Sequence, residues 1–130
     1  MSKNRKRDLQ VLVKILDCQN DIKSTLKKYK IQLSTDLPKQ ENIIRRGIVH
    51  AIGDIYEHTK SLTDETLKKL DLNQTYLRQF RNMASHQYNA ISDKSAFTLI
   101  SYIASKDITK RIKDEIEIIK EELNATAIKQ

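Results

Sequence analysis

Apolar residues recur at steps of three and four along most of this sequence, and that spacing constrains the fold more than any other feature. In the first segment the repeat consists of Leu12, Ile15, Cys18, Ile22, Leu26 and Tyr29. Such spacing places the apolar side chains on one face of an α-helix. Because the 130 residues include only 2 glycines and 1 proline, helices have few interruptions. The chain is therefore predicted to be all-α.

Residues that favour helix ends divide the chain into segments. The first helix is predicted from about Lys6 to Tyr29, and the second from Pro38, a good first helical residue, to about Lys60. Thr63 or Asp64 can cap a short third helix that ends at Leu70, and Asn73 can cap the fourth. Ser92 can cap a long last helix, which can break near Ser105.

Apolar positions in the later helices continue the same pattern. We expect their buried faces to carry Ile44, Ile48, Ala51, Ile55, Thr59, Leu77, Phe80, Ala84, Phe97, Ile100, Ala104, Ile108, Ile112, Ile119 and Leu123. Short connections between such helices favour a four- to five-helix up-and-down bundle. We expect one domain over residues 1–130, with a basic tail at 1–6 and a frayed end at 125–130.

The chain is strongly basic, with a formal net charge of +7 and a pI of about 9.5. A basic surface favours a polyanion such as RNA, or an acidic protein, as partner. A lysine-rich genome composition explains the same charge equally well. On the outer face of the last helix, Lys113 and Glu117 have the spacing of an ion pair.

Cysteine content and hydropathy indicate the cellular compartment in which the protein is expected. Cys18 is the single cysteine, so no internal disulfide can form, and its place in an apolar stripe favours a small core residue. No apolar run approaches the length of a membrane span, and no signal peptide is evident. We therefore expect a cytoplasmic protein with no membrane association.

Among the histidines, His86 has the neighbours that chemistry on a phosphodiester requires. Asn82 and His86 are four positions apart, and Arg81 has the same spacing from Ser85. Histidine can transfer protons near neutral pH, and the arginine fork matches phosphate oxygens. Taken by itself, such a string is most often an ordinary polar helix face with contacts between residues four apart. His50 and His58, eight apart on one helix, give a weak zinc pattern without other metal ligands.

The string Arg81-Asn82-Met83-Ala84-Ser85-His86-Gln87-Tyr88 resembles the signature of HEPN ribonucleases, and its Asn and Tyr resemble the HepT-like branch of toxin–antitoxin systems. The segment from Ile43 to Asp54 also resembles that family's second helix, with Arg45 in an Ile-Arg element and Gly53-Asp54 in place of the usual Gly-Glu. The resemblance extends from about Asp8 to Ile116.

This resemblance implies a homodimer whose Arg81 and His86 line a shared cleft. It implies a metal-independent endoribonuclease toxin of a type VII-like system that requires no cofactor. His86 would act as general base or acid, Arg81 would stabilise the charged transition state, and Asn82 would position His86 or the phosphate. Gly53, Asp54, Arg45 and Ser85 would support the site.

The resemblance also implies a partner, a minimal nucleotidyltransferase antitoxin of the MntA type. That partner would transfer AMP to Tyr88, and the adenylate would occupy the substrate phosphate site and repel RNA. Alternatively, Tyr88 is an ordinary amphipathic residue that caps the helix end and needs no partner.

The sequence departs from the family pattern at two places. Asp54 is shorter than the usual Glu, and Ser92 follows Ile91 where the family often has an acid, with Asp93 one position later.

Two other functions stay open from the sequence. The chain could be a non-catalytic helical module that binds a nucleotidyltransferase, because a helical fold does not fix function. A general RNA-binding protein is less favoured because aromatic residues are sparse.

Overall fold

The computed structural model describes residues 4–86 and 92–129, and within them the chain is an all-α bundle without strands. Side chains are described for this range except at Phe80, 82–86 and 126–129. The helices are α1 (Arg5–Lys28), α2 (Asn42–Thr59), α3 (Asp64–Leu70), α4 (Gln74–His86), α5 (Asp93–Ile103) and α6 (Lys106–Lys129), with a short 3-10 helix at Ser34–Asp36. The predicted fold class is confirmed.

The predicted N-caps form where the sequence placed them. The side-chain oxygens of Thr63, Asn73 and Ser92 accept hydrogen bonds from the backbone N–H groups of the helices that follow them. Each cap satisfies an N–H group that has no partner inside its helix. The starts of α3, α4 and α5 are therefore set by local chemistry that is readable from the sequence.

The last long helix breaks at the predicted position. The Ser105 hydroxyl accepts the N–H of Ile108 at 3.2 Å and so caps α6. From α1, the buried Gln19 amide donates to the carbonyl oxygens of Ile103, at 2.9 Å, and Ser105, at 3.4 Å. The Ile103 carbonyl at the break thus receives a donor from another helix, while the Ser105 carbonyl also accepts the N–H of Thr109 at 3.1 Å.

The start of α2 differs from the prediction. The carboxylate of Asp36 accepts the backbone N–H groups of Gln32 and Leu33, both at 2.9 Å, and these bonds lower the pKa of Asp36. This closed turn contains the 3-10 helix and extends the connection beyond Pro38. The second helix therefore begins at Asn42, and Pro38 is not its first residue.

Neighbouring helices are antiparallel, as in an up-and-down bundle. Arg5 at the start of α1 contacts Glu122 near the end of α6, whereas Gln19, farther along α1, reaches the residues before α6. Gln74 at the start of α4 accepts a hydrogen bond from Thr59 at the end of α2. Helix α1 packs against both α2 and α6, while α4 packs against α2.

The core consists of isoleucine and leucine side chains with a single valine, and most of the predicted positions are buried. Fully buried side chains in it are Leu12, Ile15, Ile22, Ile52, Ile55, Leu62, Leu70, Leu77, Leu99, Ile103, Ile112 and Ile119. Three predicted core residues of α1 are not fully buried. Tyr29 is exposed at the C-cap, and Cys18 and Leu26 pack against the core partly buried, because the buried stripe of α1 is centred on Val11, Ile15 and Ile22.

Both chain ends are more helical than predicted. Arg5 and Lys6, which we expected in a basic tail, lie in the first turn of α1, where Asn4 provides the cap. The Arg5 guanidinium forms ion pairs with Glu115 at 3.3 Å and Glu122 at 3.0 Å. These pairs fix the start of α1 to α6, whose backbone stays helical to Lys129.

Candidate functional site

Helix α4 carries the Arg-Asn-x-x-x-His string, and its start is firmly fixed. Leu77 is fully buried in the core, and the Tyr102 hydroxyl of α5 accepts the N–H of Asn73 at 3.2 Å. The Tyr76 and Tyr102 rings lie 6.4 Å apart at an interplanar angle of 46°. The helix backbone continues to His86. The motif therefore extends from a helix whose first turn is anchored to α2 and α5.

Arg81 lies at the seam between α4 and α2 and faces a carboxylate. Its Nη2 atom is 3.0 Å from Glu57 Oε1, and the two side chains are 40% and 42% exposed. The contact is an ion pair without hydrogen-bond geometry, because Glu57 Oε1 accepts no hydrogen bond from the described residues. The other oxygen of Glu57 accepts a bond from Lys60 at 3.4 Å. Glu57 thus neutralises Arg81 from across the seam.

Gly53 also lies at this seam, beside Arg81. A Cβ atom built on Gly53 would lie 3.8 Å from Arg81 Cγ, an ordinary van der Waals distance. The described neighbour is thus the aliphatic stem of Arg81 and not a closely approaching backbone. The structure therefore brings Gly53 and Arg81 together, although the position does not require glycine for space.

Asp54 faces a different direction from Gly53. Its Oδ2 atom lies 3.5 Å from His50 Nε2 on the same helix. Its charge also acts on Cys18, whose pKa is raised first by burial and then by Asp54 and two other aspartates. The carboxylate that reaches Arg81 is that of Glu57, which the sequence analysis missed. The helical spacing could have indicated Glu57, because it is four positions from Gly53 and therefore lies on the same face of α2.

Arg45 and Asp93 form a second contact between predicted residues. Arg45 Nη2 lies 3.0 Å from Asp93 Oδ1, which joins the start of α2 to the start of α5. Asp93 is the acid that the sequence places one position later than the family pattern. Here it connects two helices through its contact with Arg45.

Other predicted site residues lie outside what the structure describes. The backbone of Asn82, Ser85 and His86 is helical, but their side chains are not among those described, and Tyr88 lies beyond the described residues. In residues 4–86 and 92–129, no three potential metal ligands gather into a group. No helix within the same ranges is both long and apolar enough to cross a membrane.

Comparison with known proteins identifies no family for this chain. No family model matches it, and no solved structure is significantly similar. Human Nesprin-2 is 31% identical over 124 residues, which is 94% of this chain but 2% of Nesprin-2. The chain therefore spans a very small part of that relative, and the similarity assigns neither a family nor an activity.

Proposed function

We propose that this chain is a HepT-like HEPN ribonuclease toxin that cleaves RNA without a metal ion. The observation that carries the proposal is Arg81, half exposed at the α2–α4 seam and on the same helix as His86. The basic net charge of +7 suits a substrate that is a polyanion.

The reaction requires one attack and two proton transfers. The ribose 2′-OH attacks the adjacent phosphorus, the bond to the 5′-oxygen breaks, and a cyclic phosphate and a free 5′-OH result. His86 of one protomer would remove the 2′ proton or protonate the 5′-oxygen, and the second His86 of a homodimer could supply the complementary step. Asn82 would orient His86 or the phosphate, and Arg81 would stabilise the extra negative charge on the phosphorane.

The ion pair with Glu57 does not prevent this role. An exposed ion pair contributes only about 0–1 kcal/mol, so a phosphate can replace Glu57 as the partner of Arg81. Phosphate also offers the arginine fork two oxygens in the geometry that it prefers. Glu57 therefore holds Arg81 at the seam in the resting protein and releases it at small cost.

Control of the toxin would come from a minimal nucleotidyltransferase antitoxin. Transfer of AMP to Tyr88, two residues after His86, would bring a phosphate group near Arg81 and repel RNA. The alternative function is a non-catalytic module that binds such a nucleotidyltransferase. The ion pair between Arg81 and Glu57 favours that alternative only if an RNA phosphate never displaces Glu57.

Cleavage of total cellular RNA by the purified protein in EDTA tests the proposal. We expect cleavage by the unmodified protein and losses of roughly 10²–10³-fold in Arg81→Ala and 10²–10⁴-fold in His86→Ala. Arg78→Ala is the matched control, because Arg78 is exposed on the same helix and forms no ion pair with the described residues. If the folded, unmodified protein cuts no RNA, the nuclease proposal is wrong. If Arg78→Ala loses as much as Arg81→Ala, the specific role of Arg81 is wrong.

A further inference from the structure

Charged side chains of both neighbouring long helices act on groups of α1. On the side facing α2, Asp17 and Asp21 of α1 and Asp54 of α2 act together on Cys18 and help to raise its pKa, after the larger effect of burial. On the side facing α6, Lys23 of α1 donates a hydrogen bond to the Thr109 hydroxyl. Lys23 thus connects α1 to α6 on the side away from Cys18.

Lys23 meets two further lysines on the α6 side. Thr109 lies one turn from Lys106 and one turn from Lys113, so all three ammonium groups approach the same strip of surface. The pKa of Lys23 is lowered by burial and then by the charges of Lys113 and Lys106. We call Lys23, Lys106 and Lys113 the lysine row.

Nearby carboxylates do not neutralise the lysine row. The predicted pair of Lys113 with Glu117 is absent from the described structure, in which Glu117 lies 3.6 Å from Lys120. The other acids on this part of α6 are also engaged: Asp107 pairs with Arg111 and Asp114 pairs with Lys110. Across residues 4–86 and 92–129, no ion pair is formed by any lysine of the row.

We propose that the lysine row binds the phosphodiester backbone of RNA. Lys106 and Lys113 are seven residues apart, so the row extends for about 10 Å along α6, a linear arrangement that suits a chain of phosphates. Lysines are compact point charges and contact phosphates without reading the base sequence. The row lies on α1 and α6, whereas Arg81 lies where α2 meets α4. The choice of RNA over other polyanions rests on the proposed function.

The experiment measures RNA binding separately from cleavage. Binding of a short fluorescent single-stranded RNA is followed by anisotropy over a range of salt concentrations, using the full chain with His86→Ala so that the RNA stays intact. The test variant adds Lys106→Gln and Lys113→Gln, which remove two exposed charges. The control variant instead adds Lys14→Gln and Lys68→Gln, exposed lysines outside the row, so that both variants carry the same net charge.

Counterion release sets the expected result. Losing two phosphate contacts should reduce the slope of log Kd against log salt by about 1.4, equivalent to about 25-fold weaker binding at roughly 0.1 M salt. The control should keep nearly the original slope. Equal weakening in both variants would overturn the proposal, since net charge alone would then explain binding. Equally tight, row-dependent binding to phosphatidylglycerol vesicles would also overturn it by assigning the row to lipid headgroups.

This outcome is independent of the nuclease test. If the lysine row binds RNA but no variant cleaves it, the proposed function fails and the row remains an RNA-binding surface. If the protein cleaves RNA but the test variant binds as the control does, the assignment of the row fails and the nuclease proposal stands.

Discussion

Replacing Asp8 with alanine should destabilise this protein more than a typical single substitution does. Asp8 lies in the first turn of α1 and is fully buried. Its carboxylate accepts the N–H of Thr63 at 3.0 Å, the Thr63 hydroxyl at 2.6 Å and the Thr66 hydroxyl. It thereby fixes the first turn of α3 to α1.

The loss of stability in Asp8→Ala depends on whether the hydrogen-bond donors around Asp8 can find other acceptors. The Thr66 hydroxyl also accepts a bond from Arg5 at 2.6 Å, so its surroundings stay polar without Asp8. The N–H and hydroxyl of Thr63 lose their charged acceptor, and bonds to a charged group contribute about 1.5–3 kcal/mol each. We therefore expect Asp8→Ala to lower the free energy of unfolding by about 3–5 kcal/mol, comparable to the loss of one partner from a buried ion pair.

Urea unfolding followed by circular dichroism measures this cost. With an m-value of about 1.5 kcal/mol/M, a loss of 3 kcal/mol moves the midpoint down by about 2 M. Asp17→Ala is the control, because Asp17 is an exposed aspartate of the same helix, and its effect should stay within about 0.5 kcal/mol. Asp8→Asn should fall between the two because its amide oxygen can still accept the Thr63 N–H. If Asp8→Ala costs less than about 1 kcal/mol, the reasoning from the buried network is refuted.

Two further predictions concern α2 and the attachment of α1 to α6. Gly53→Ala and Gly47→Ala should each raise the free energy of unfolding by about 0.5–1 kcal/mol in urea, because both sites are helical and have room for a methyl group. Destabilisation by Gly53→Ala alone would show that α2 and α4 pack more tightly at Gly53 than the structure indicates. Glu122→Gln should lower stability at neutral pH, because the hydrogen bond from Arg5 lowers the pKa of Glu122. The loss in free energy of unfolding should be about 0.5–1 kcal/mol. It should shrink as the pH falls below the ordinary glutamate pKa of about 4.3, and it should vanish below the lowered pKa of Glu122 in the folded protein. A difference that does not change with pH would contradict a stabilising charge interaction between Arg5 and Glu122.

Features that depend on a few neighbouring residues were predictable from the sequence. The caps at Thr63, Asn73 and Ser92 and the break at Ser105 each arise from a polar side chain that bonds the backbone three residues later. The exception is the start of α2, where Asp36 accepts bonds from residues before it and delays the helix. A capping rule that reads forward along the chain cannot detect that turn.

Buried polar residues could not be predicted in the same way, because their partners are distant in sequence. Asp8 and Gln19 share the buried face of α1 with its apolar side chains, and Glu115 holds the same kind of position on α6. Each would cost free energy if it were buried without a partner, yet Gln19 bonds to Ile103, 84 positions away, and Glu115 pairs with Arg5, 110 positions away. A polar residue in register with an apolar stripe is therefore a signal of a long-range contact, although it does not identify the partner.

The same reasoning explains why the sequence did not identify Glu57 as the acid that faces Arg81. The family pattern directs attention to the residue directly after Gly53, but adjacent helical residues point about 100° apart, and Asp54 faces His50 instead. Helix α4 crosses α2 on the face that Gly53 shares with Glu57, so Glu57 meets the guanidinium. Which acid meets Arg81 therefore depends on how α4 packs on α2, a tertiary property that local spacing does not contain. Any role for an acid in controlling Arg81 thus belongs to Glu57 rather than Asp54.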